Sequence, residues 1–416
     1  MISHRGRTLC LATILHCFTH LYMVALIPLY LPIQKEFKLS SIDYVTSLVT
    51  VQMMAYFLPS IFVGKLADKF SRKVLLSIGL FINSLAFVGI GIAPTYSSAM
   101  IFVFFAGIGG SFFHPAAIAL IARLYPDTTG RALGIVGIGA SAGFFIGPLY
   151  SGWRASVTGN WRIPLIELGI SGFFMAILFT FLAVKELPQQ KYNQAQIPLT
   201  KIFNSKVLWI VFLLSCLFFS LRDFAGGGMQ SLTSLYLQKA HNWSLKQTGL
   251  ALSLISLASA FSNPLFGHFS DKHRYQWIIF IIVVSSAVII LFPFIGADYL
   301  LYVLVVYGFF FMASFPLVEA ALMQAFDDSI RGRVCGMFLT ICSLIGNMAH
   351  WFVGKWVQTL GTSANSPLAY KRFYFILAIM AVTSLCALPL LEYIRKNNVK
   401  FSNIKKTEPA LQTIQN

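Results

Sequence analysis

Six ionisable side chains lie in stretches otherwise too apolar to hold them: His16, His20, His114, the adjacent Arg222 and Asp223, and Glu319. Placing a charge in hydrocarbon costs roughly 2.5–3.5 kcal/mol even on the lenient insertion scale, so such residues usually face a cavity and carry function. His16 and His20 are spaced i, i+4 and share one face of a helix. Imidazole titrates in the range around neutral pH, so these rings suit proton uptake and release. Asp223 and Glu319 are the carboxyls able to carry a proton, with His20 as a relay between water and the path. The planar fork of Arg222 suits a carboxylate or phosphonate. Together with His16, His20 and His114 it forms the candidate solute-binding set, to which Gln52, Tyr56 and Gln230 add polar groups. The competing reading for any one of them is a buried polar network that clamps helices together, and His350 is read that way.

The elements that must position these residues are membrane helices. Apolar and aromatic residues make up 57% of the 416 residues and charged ones only 11%, where a water-soluble domain needs about a quarter charged. Runs of about 20 apolar residues, the length that spans a bilayer, recur at 8–32, 43–63, 74–93, 98–122, 132–153 and 164–184. A second set follows at 207–237, 245–268, 276–295, 299–325, 332–358 and 371–394. The expectation is an all-α membrane protein of twelve transmembrane helices in two six-helix halves. Its divisions are 1–184, a central loop 185–206, 207–396 and a polar tail 397–416. The first run follows Arg5 and Arg7 but extends to Pro32 without a small-residue cleavage site, so it reads as a helix and not as a leader.

The net charge of +17 could point to nucleic acid, but its placement does not. Of the 31 Lys and Arg, 21 fall in alternate loops and the termini, the bias that places both ends in the cytoplasm. Anionic lipid is the partner this charge implies, and nucleic acid is not. The six cysteines lie in or beside apolar spans at no metal-ligand spacing and read as packing residues. No metal site, cofactor or enzymatic constellation is expected.

The halves repeat each other. Gly64-Lys-Leu-Ala-Asp68-Lys is echoed by Gly267-His-Phe-Ser-Asp271-Lys, 203 residues on, and Gly130-Arg131 by Gly332-Arg333, 202 on. The offset of 203 sets His20 opposite Asp223. Internal duplication of this kind marks transporters, whose solute site lies between the halves near the bilayer midplane. The candidate residues occupy helices 1, 4, 7 and 10, the first of each three-helix unit. Helix 7 also carries Gly226-Gly227-Gly228, which reads as an interruption lining a cavity.

The stretch Gly64 to Arg72, with Asp68 and with Ser71 where glycine is usual, resembles the cytoplasmic-loop signature of the major facilitator superfamily. That resemblance implies gating roles for Gly64, Asp68, Arg72, Arg131, Gly267, Asp271 and Arg333. Gly134, Gly143, Gly147, Pro148 and Gly152 on the fifth helix are similar to the superfamily's antiporter motif, with Ser151 replacing a glycine. Small residues at that spacing let helix backbones approach closely. Gly110-Ser-Phe-Phe-His114-Pro115 is similar to the fosmidomycin-resistance, drug-efflux branch, although Val103 stands where many exporters carry arginine and His20 where that branch carries an acid. The expectation is a monomeric, proton-coupled exporter of a small polar or anionic metabolite or drug, such as a siderophore-like polycarboxylate, in a bacterial inner membrane. An importer or lipid transporter of the same fold is the alternative within transport. A receptor or scaffold would need no working alternation between two conformations.

Overall fold

The computed structural model describes residues 4–184, 203, 205–326 and 328–397, apart from the side chains of 61, 65, 68, 328–330 and 332. The expected central loop and tail lie almost wholly outside these residues. Within them the chain is helical, with no strand. Eleven stretches of the described residues are long and apolar enough to cross a bilayer. Large apolar side chains such as Phe181, 78% exposed, and Phe261, 70% exposed, stand on the outside of the bundle, a surface that only lipid would cover comfortably.

The first group of helices comprises α1 (His4–Val24), α2 (Tyr30–Glu36), α3 (Ile42–Phe57), α4 (Ser60–Lys69), α5 (Arg72–Ile92), α6 (Tyr96–Ser111), α7 (Phe113–Leu124), α8 (Thr129–Thr158) and α9 (Arg162–Leu182). The second comprises α10 (Lys206–Ala240), α11 (Leu245–Leu291), α12 (Leu300–Phe311), α13 (Ser314–Gln324), α14 (Asp328–Gly346), α15 (Ala349–Gln358) and α16 (Lys371–Thr383). In the first group α1 packs on α8, α5 on α6 and α9, and α3 on α6; in the second α10 packs on α14 and α16, and α11 on α12.

Local chemistry sets the boundaries. Ser71 accepts a hydrogen bond from the Val74 amide and caps α5, so the serine in place of the usual glycine serves the helix start. Thr95 with Ser98, and Ser244 with Gln247, form reciprocal capping boxes on α6 and α11. Proline, which lacks the amide that bonds four residues back, stands at three of the breaks within spans: Pro59 between α3 and α4, Pro115 just after the α6–α7 junction, and Pro316 just after the α12–α13 junction. The last two lie at matching places in the two groups, and each sits beside a candidate residue.

Two expectations change. The eighth and ninth spans meet at a kink in place of a longer loop: the backbone leaves helical geometry at His273 (φ −133°, ψ 49°), which divides α11 into two helices, one on either side of that residue. Nor is the seventh helix broken by glycine. α10 continues through Gly226–Gly228, because neighbours fill the space a side chain would take: a Cβ on Gly226 would meet the Phe311 ring at 2.9 Å and one on Gly228 the Leu377 side chain at 2.7 Å.

The two groups touch along α8 with α11 and α3 with α15, and the touching is concentrated at one end. A Cβ on Gly152 would lie 2.3 Å from the Leu245 carbonyl, one on Gly249 2.3 Å from the Pro148 carbonyl, and one on Gly354 2.2 Å from the Thr46 hydroxyl. Lys355 Nζ pairs with Asp43 at 2.9 Å, and the Ile42 amide donates to Gln358. The Trp351 amide donates to the Thr50 hydroxyl, Ser234 to the Ile27 carbonyl and Gln238 to the Pro28 carbonyl. At the other end, nothing lies within 4 Å of a Cβ on Gly64, Gly130, Gly134, Gly137, Gly267 or Gly336, while α4 touches α14. Among the described residues, the close contacts between the two groups lie at the end bearing Asp43 and Lys355.

Gly354→Leu is expected to force the sealed end apart. A cysteine introduced at Thr46 would then react several-fold faster with an aqueous maleimide than the same cysteine beside Gly354; unchanged reactivity would contradict the steric origin of the seal.

Candidate functional site

The candidate residues resolve into two clusters, one in each group of helices. In the first, close approach of α1 and α8 does the positioning. Cβ atoms on Gly139, Gly143 and Gly147 would strike the backbone of α1 at 2.0–2.7 Å, so the stripe of small residues on α8 exists to admit that helix. The approach brings the Val136 carbonyl to 2.8 Å from His16 Nδ1. A carbonyl only accepts, so Nδ1 carries the proton and His16 Nε2 keeps a lone pair. His20 Nε2 lies 3.0 Å from that atom and donates to it, which leaves His20 Nδ1, buried and without a partner, as a second lone pair.

His114 enters from α7, one residue ahead of Pro115. Its ring stands edge-on to His16 at 5.2 Å and to His20 at 5.6 Å. Phe113 stacks on His16 at 4.4 Å and Phe144 lies 4.5 Å from His20, so aromatic faces fix the imidazole planes. One nitrogen from each of His16, His20 and His114 lies within 4.8 Å of the other two. Spacing along the chain gave no sign of a metal-ligating group, because the third member comes from a different span; the fold assembles one.

In the second cluster Arg222 is only 2% exposed. Its Nε and Nη2 donate to one oxygen of Asp223 at 2.9 and 2.6 Å, its Nη1 donates to the Ser314 carbonyl at 3.2 Å, and its guanidinium lies 4.2 Å from the centre of the Phe315 ring. The fork expected to hold an anionic solute is therefore occupied in this conformation. Glu319, one turn beyond Pro316 and partly exposed, lies within electrostatic reach of both Arg222 and Asp223.

The remaining expectations divide. Gln52 is buried and donates to the Tyr22 carbonyl at 2.9 Å, so it ties α3 to α1 and is turned away from open space. Tyr56 presents its ring edge-on to His114 at 6.2 Å, and its buried hydroxyl has no partner. His350 accepts or donates at Ser231 (2.7 Å), which bonds in turn to Tyr30 at 2.8 Å; the network role read for it matches this chain between groups. On α8, Gly143 and Gly147 face α1 and Gly152 and Pro148 face α11, whereas Gly134 faces open space. Gly64, Gly267 and exposed Arg131 lie at the end opposite Asp43 and Lys355, where Asp271 pairs with Arg274 at 3.3 Å. Arg72 begins α5 and Arg333 lies on α14, while the Asp68 side chain lies outside the described residues. The Asp43–Lys355 pair and Gly139 were missed; Gly139 continues the four-residue spacing of Gly143 and Gly147 and could have been found from it.

Residues 9–350 match the family profile described as the Major Facilitator Superfamily. The quinolone resistance protein NorA of Staphylococcus aureus (strain COL) is 24% identical over 338 residues, 80% of this chain and 83% of that protein. The cis,cis-muconate transport protein of Acinetobacter baylyi (strain ATCC 33305 / BD413 / ADP1) is 24% identical over 73% of this chain and 76% of its own. Among solved structures, a bacterial homolog of the human lysosomal transporter Spinster, inward-facing and unoccupied, superposes with a TM-score of 0.76 at 18% identity, covering 96% of this chain and 98% of that one. A mutant of the nucleoside transporter NupG gives 0.74 at 15% identity over 92% and 99%.

Arg222→Leu would leave the Asp223 carboxylate buried without its partner, a change that costs about 3–5 kcal/mol. A lowered unfolding temperature in detergent is the expected result, with most of it recovered in the double variant Arg222→Leu/Asp223→Leu. A double variant as unstable as the single one would show that the pair is not what stabilises this site.

Proposed function

This chain belongs to the Major Facilitator Superfamily, and on that premise we propose that it is a proton-coupled secondary transporter of a small polar or anionic solute, working by alternating access. It is a multi-pass membrane protein. In the proposed arrangement α11 crosses the bilayer twice, which makes twelve crossings in two halves, 1–184 and 207–396, joined by 185–206, with both termini and the tail 397–416 cytoplasmic. The basic loops then fall on the side of Gly64 and Gly267, so that end faces the cytoplasm and, in this reading, is the open one. The superposition on an inward-facing relative supports that orientation. A bacterial inner membrane and a monomeric state complete the reading.

The observation that carries the proposal is the pairing of a one-ended seal with two buried titratable clusters, on α1 and α7 in one half and α10 and α13 in the other. Glu319 and Asp223 are the proposed proton carriers, with His20 as relay. Likeness to NorA and the small-residue pattern of α8, similar to the antiporter motif, support export of a metabolite or drug, a siderophore-like polycarboxylate among them. The Phe113-His114-Pro115 segment supports placing the chain near the fosmidomycin-resistance branch.

A second reading, proton–anion symport, is favoured by the Arg222–Asp223 geometry. Protonating Asp223 would free the Arg222 fork for a carboxylate, so proton and anion would strengthen each other's binding; antiport needs the two to compete. Likeness to a transport protein for muconate, a dicarboxylate, fits this reading as well.

Purified protein in proteoliposomes, given candidate anions and cationic drugs under an imposed pH gradient, tests both. Solute flux against the proton flow is expected for export and flux with it for symport. Glu319→Gln is expected to reduce gradient-driven flux about tenfold or more, the size of effect general for a lost proton carrier, while leaving solute counterflow measurable. Flux insensitive to a protonophore would defeat proton coupling.

A further inference from the structure

We propose that His16, His20 and His114 form a binding site for a divalent transition-metal ion of the class that prefers imidazole, such as Zn²⁺. His16 is already arranged as a metal ligand: its Nδ1–H is held by the Val136 carbonyl at 2.8 Å, so its Nε2, which here accepts from His20, carries the lone pair that would coordinate. A ligating histidine almost always donates its other N–H in this way, which fixes the tautomer and raises the ring's basicity. His20, four residues on, shares its helix face, the spacing by which paired histidines grip zinc on a helix.

The second observation is an orphan. His16 and His20 are each 8% exposed, and His20 Nδ1 is buried with no hydrogen-bond partner. Because nothing holds Nδ1, the single proton of His20 can sit on either nitrogen, which lets Nε2 turn its lone pair to an ion. His114 is partly exposed and gives the group a route to solvent.

Tetrahedral Zn²⁺ with imidazole at about 2.0–2.1 Å holds its nitrogens about 3.3 Å apart. The pair at 3.0 Å opens slightly and the third ring closes in from within the 4.8 Å limit. If His20 coordinates through Nε2, its proton leaves that nitrogen and Nδ1 takes one up, so the ring stays neutral and no net proton is released. Three protein ligands leave the fourth position open. Only the three histidines act electrostatically on one another here, with no carboxylate among the described residues acting on His20 or His114. The ion would therefore keep a double positive charge in a site of low dielectric. An anionic ligand in the open position, hydroxide or an oxygen donor of the solute, offsets it.

The test is calorimetric titration of ZnCl₂ into the full-length protein in detergent, with any affinity tag removed. One equivalent is expected to bind, with affinity falling about tenfold or more in His20→Gln and in His114→Gln, and unchanged in His268→Gln, an exposed control. Zinc X-ray absorption on the unaltered protein reads the ligand set directly, whether or not the variants fold. Three imidazole nitrogens support the site. No zinc uptake, fewer than three imidazoles, or full affinity in His20→Gln would overturn it.

Discussion

A polar group drawn into the bundle can find a partner only inside the chain, because hydrocarbon offers none. Much of the architecture follows from that constraint. Arg222 is satisfied by its neighbour Asp223, by the Ser314 carbonyl and by the Phe315 ring. The Ser314 carbonyl sits at the start of α13, beside the break ahead of Pro316, so one irregularity in the backbone supplies an acceptor for the charge that needs it. The same economy appears in the other half, where small residues on α8 let a carbonyl reach His16. Serine and threonine hydroxyls elsewhere bond back to carbonyls three or four residues earlier, as Ser285 and Ser286 do, and so add polarity to the sequence without exposing any of it to lipid.

The repeat supplies matching scaffolds but different equipment. Pro115 and Pro316 break their helices at corresponding places, yet one break presents His114 and the other Glu319. One half thus holds three neutral-capable bases and the other an arginine with two acids. In the proposed cycle this division separates roles: protons act on the acids of the second half, and the histidines of the first offer lone pairs or charge to whatever occupies the path. Symmetric equipment would give both halves the same preference for a proton, with nothing to distinguish a loaded path from an empty one.

How much of this could be read in the sequence depends on the range of the interaction. The shared face of His16 and His20, the adjacency of Arg222 and Asp223 and the repeat offset are local or periodic, and they were legible. The glycine triplet on α10 was misread because its flexibility is a property of the residues themselves, whereas its actual use, admitting Phe311 and Leu377, belongs to distant helices. The charge of Arg222 was legible in the sequence, but the direction of its fork, toward Asp223 and the Ser314 carbonyl, was not. The third histidine of the cluster and the Asp43–Lys355 pair join residues from separate spans, and neither has a periodic signal. The connection inside α11 was expected as a loop because charged residues cluster there; the chain makes it with a kink at His273 between two helices.

The nature of the seal bears on whether it can open. Lys355 is about half exposed beside Asp43, and an ion pair in such a position contributes about 0–1 kcal/mol. The hydrogen bonds from Ile42 to Gln358 and from Trp351 to Thr50 contribute roughly 0.5–1.5 kcal/mol each. These are modest sums. The precise fit comes from backbones meeting at Gly152, Gly249 and Gly354, and such contacts set where the halves can rest without adding strong bonds that hold them there. A seal made of weak bonds and close fit is one that differential binding of a few kcal/mol can shift toward the opposite state. Stronger ion pairs at the same positions would fix this conformation and leave a closed vessel in place of a path.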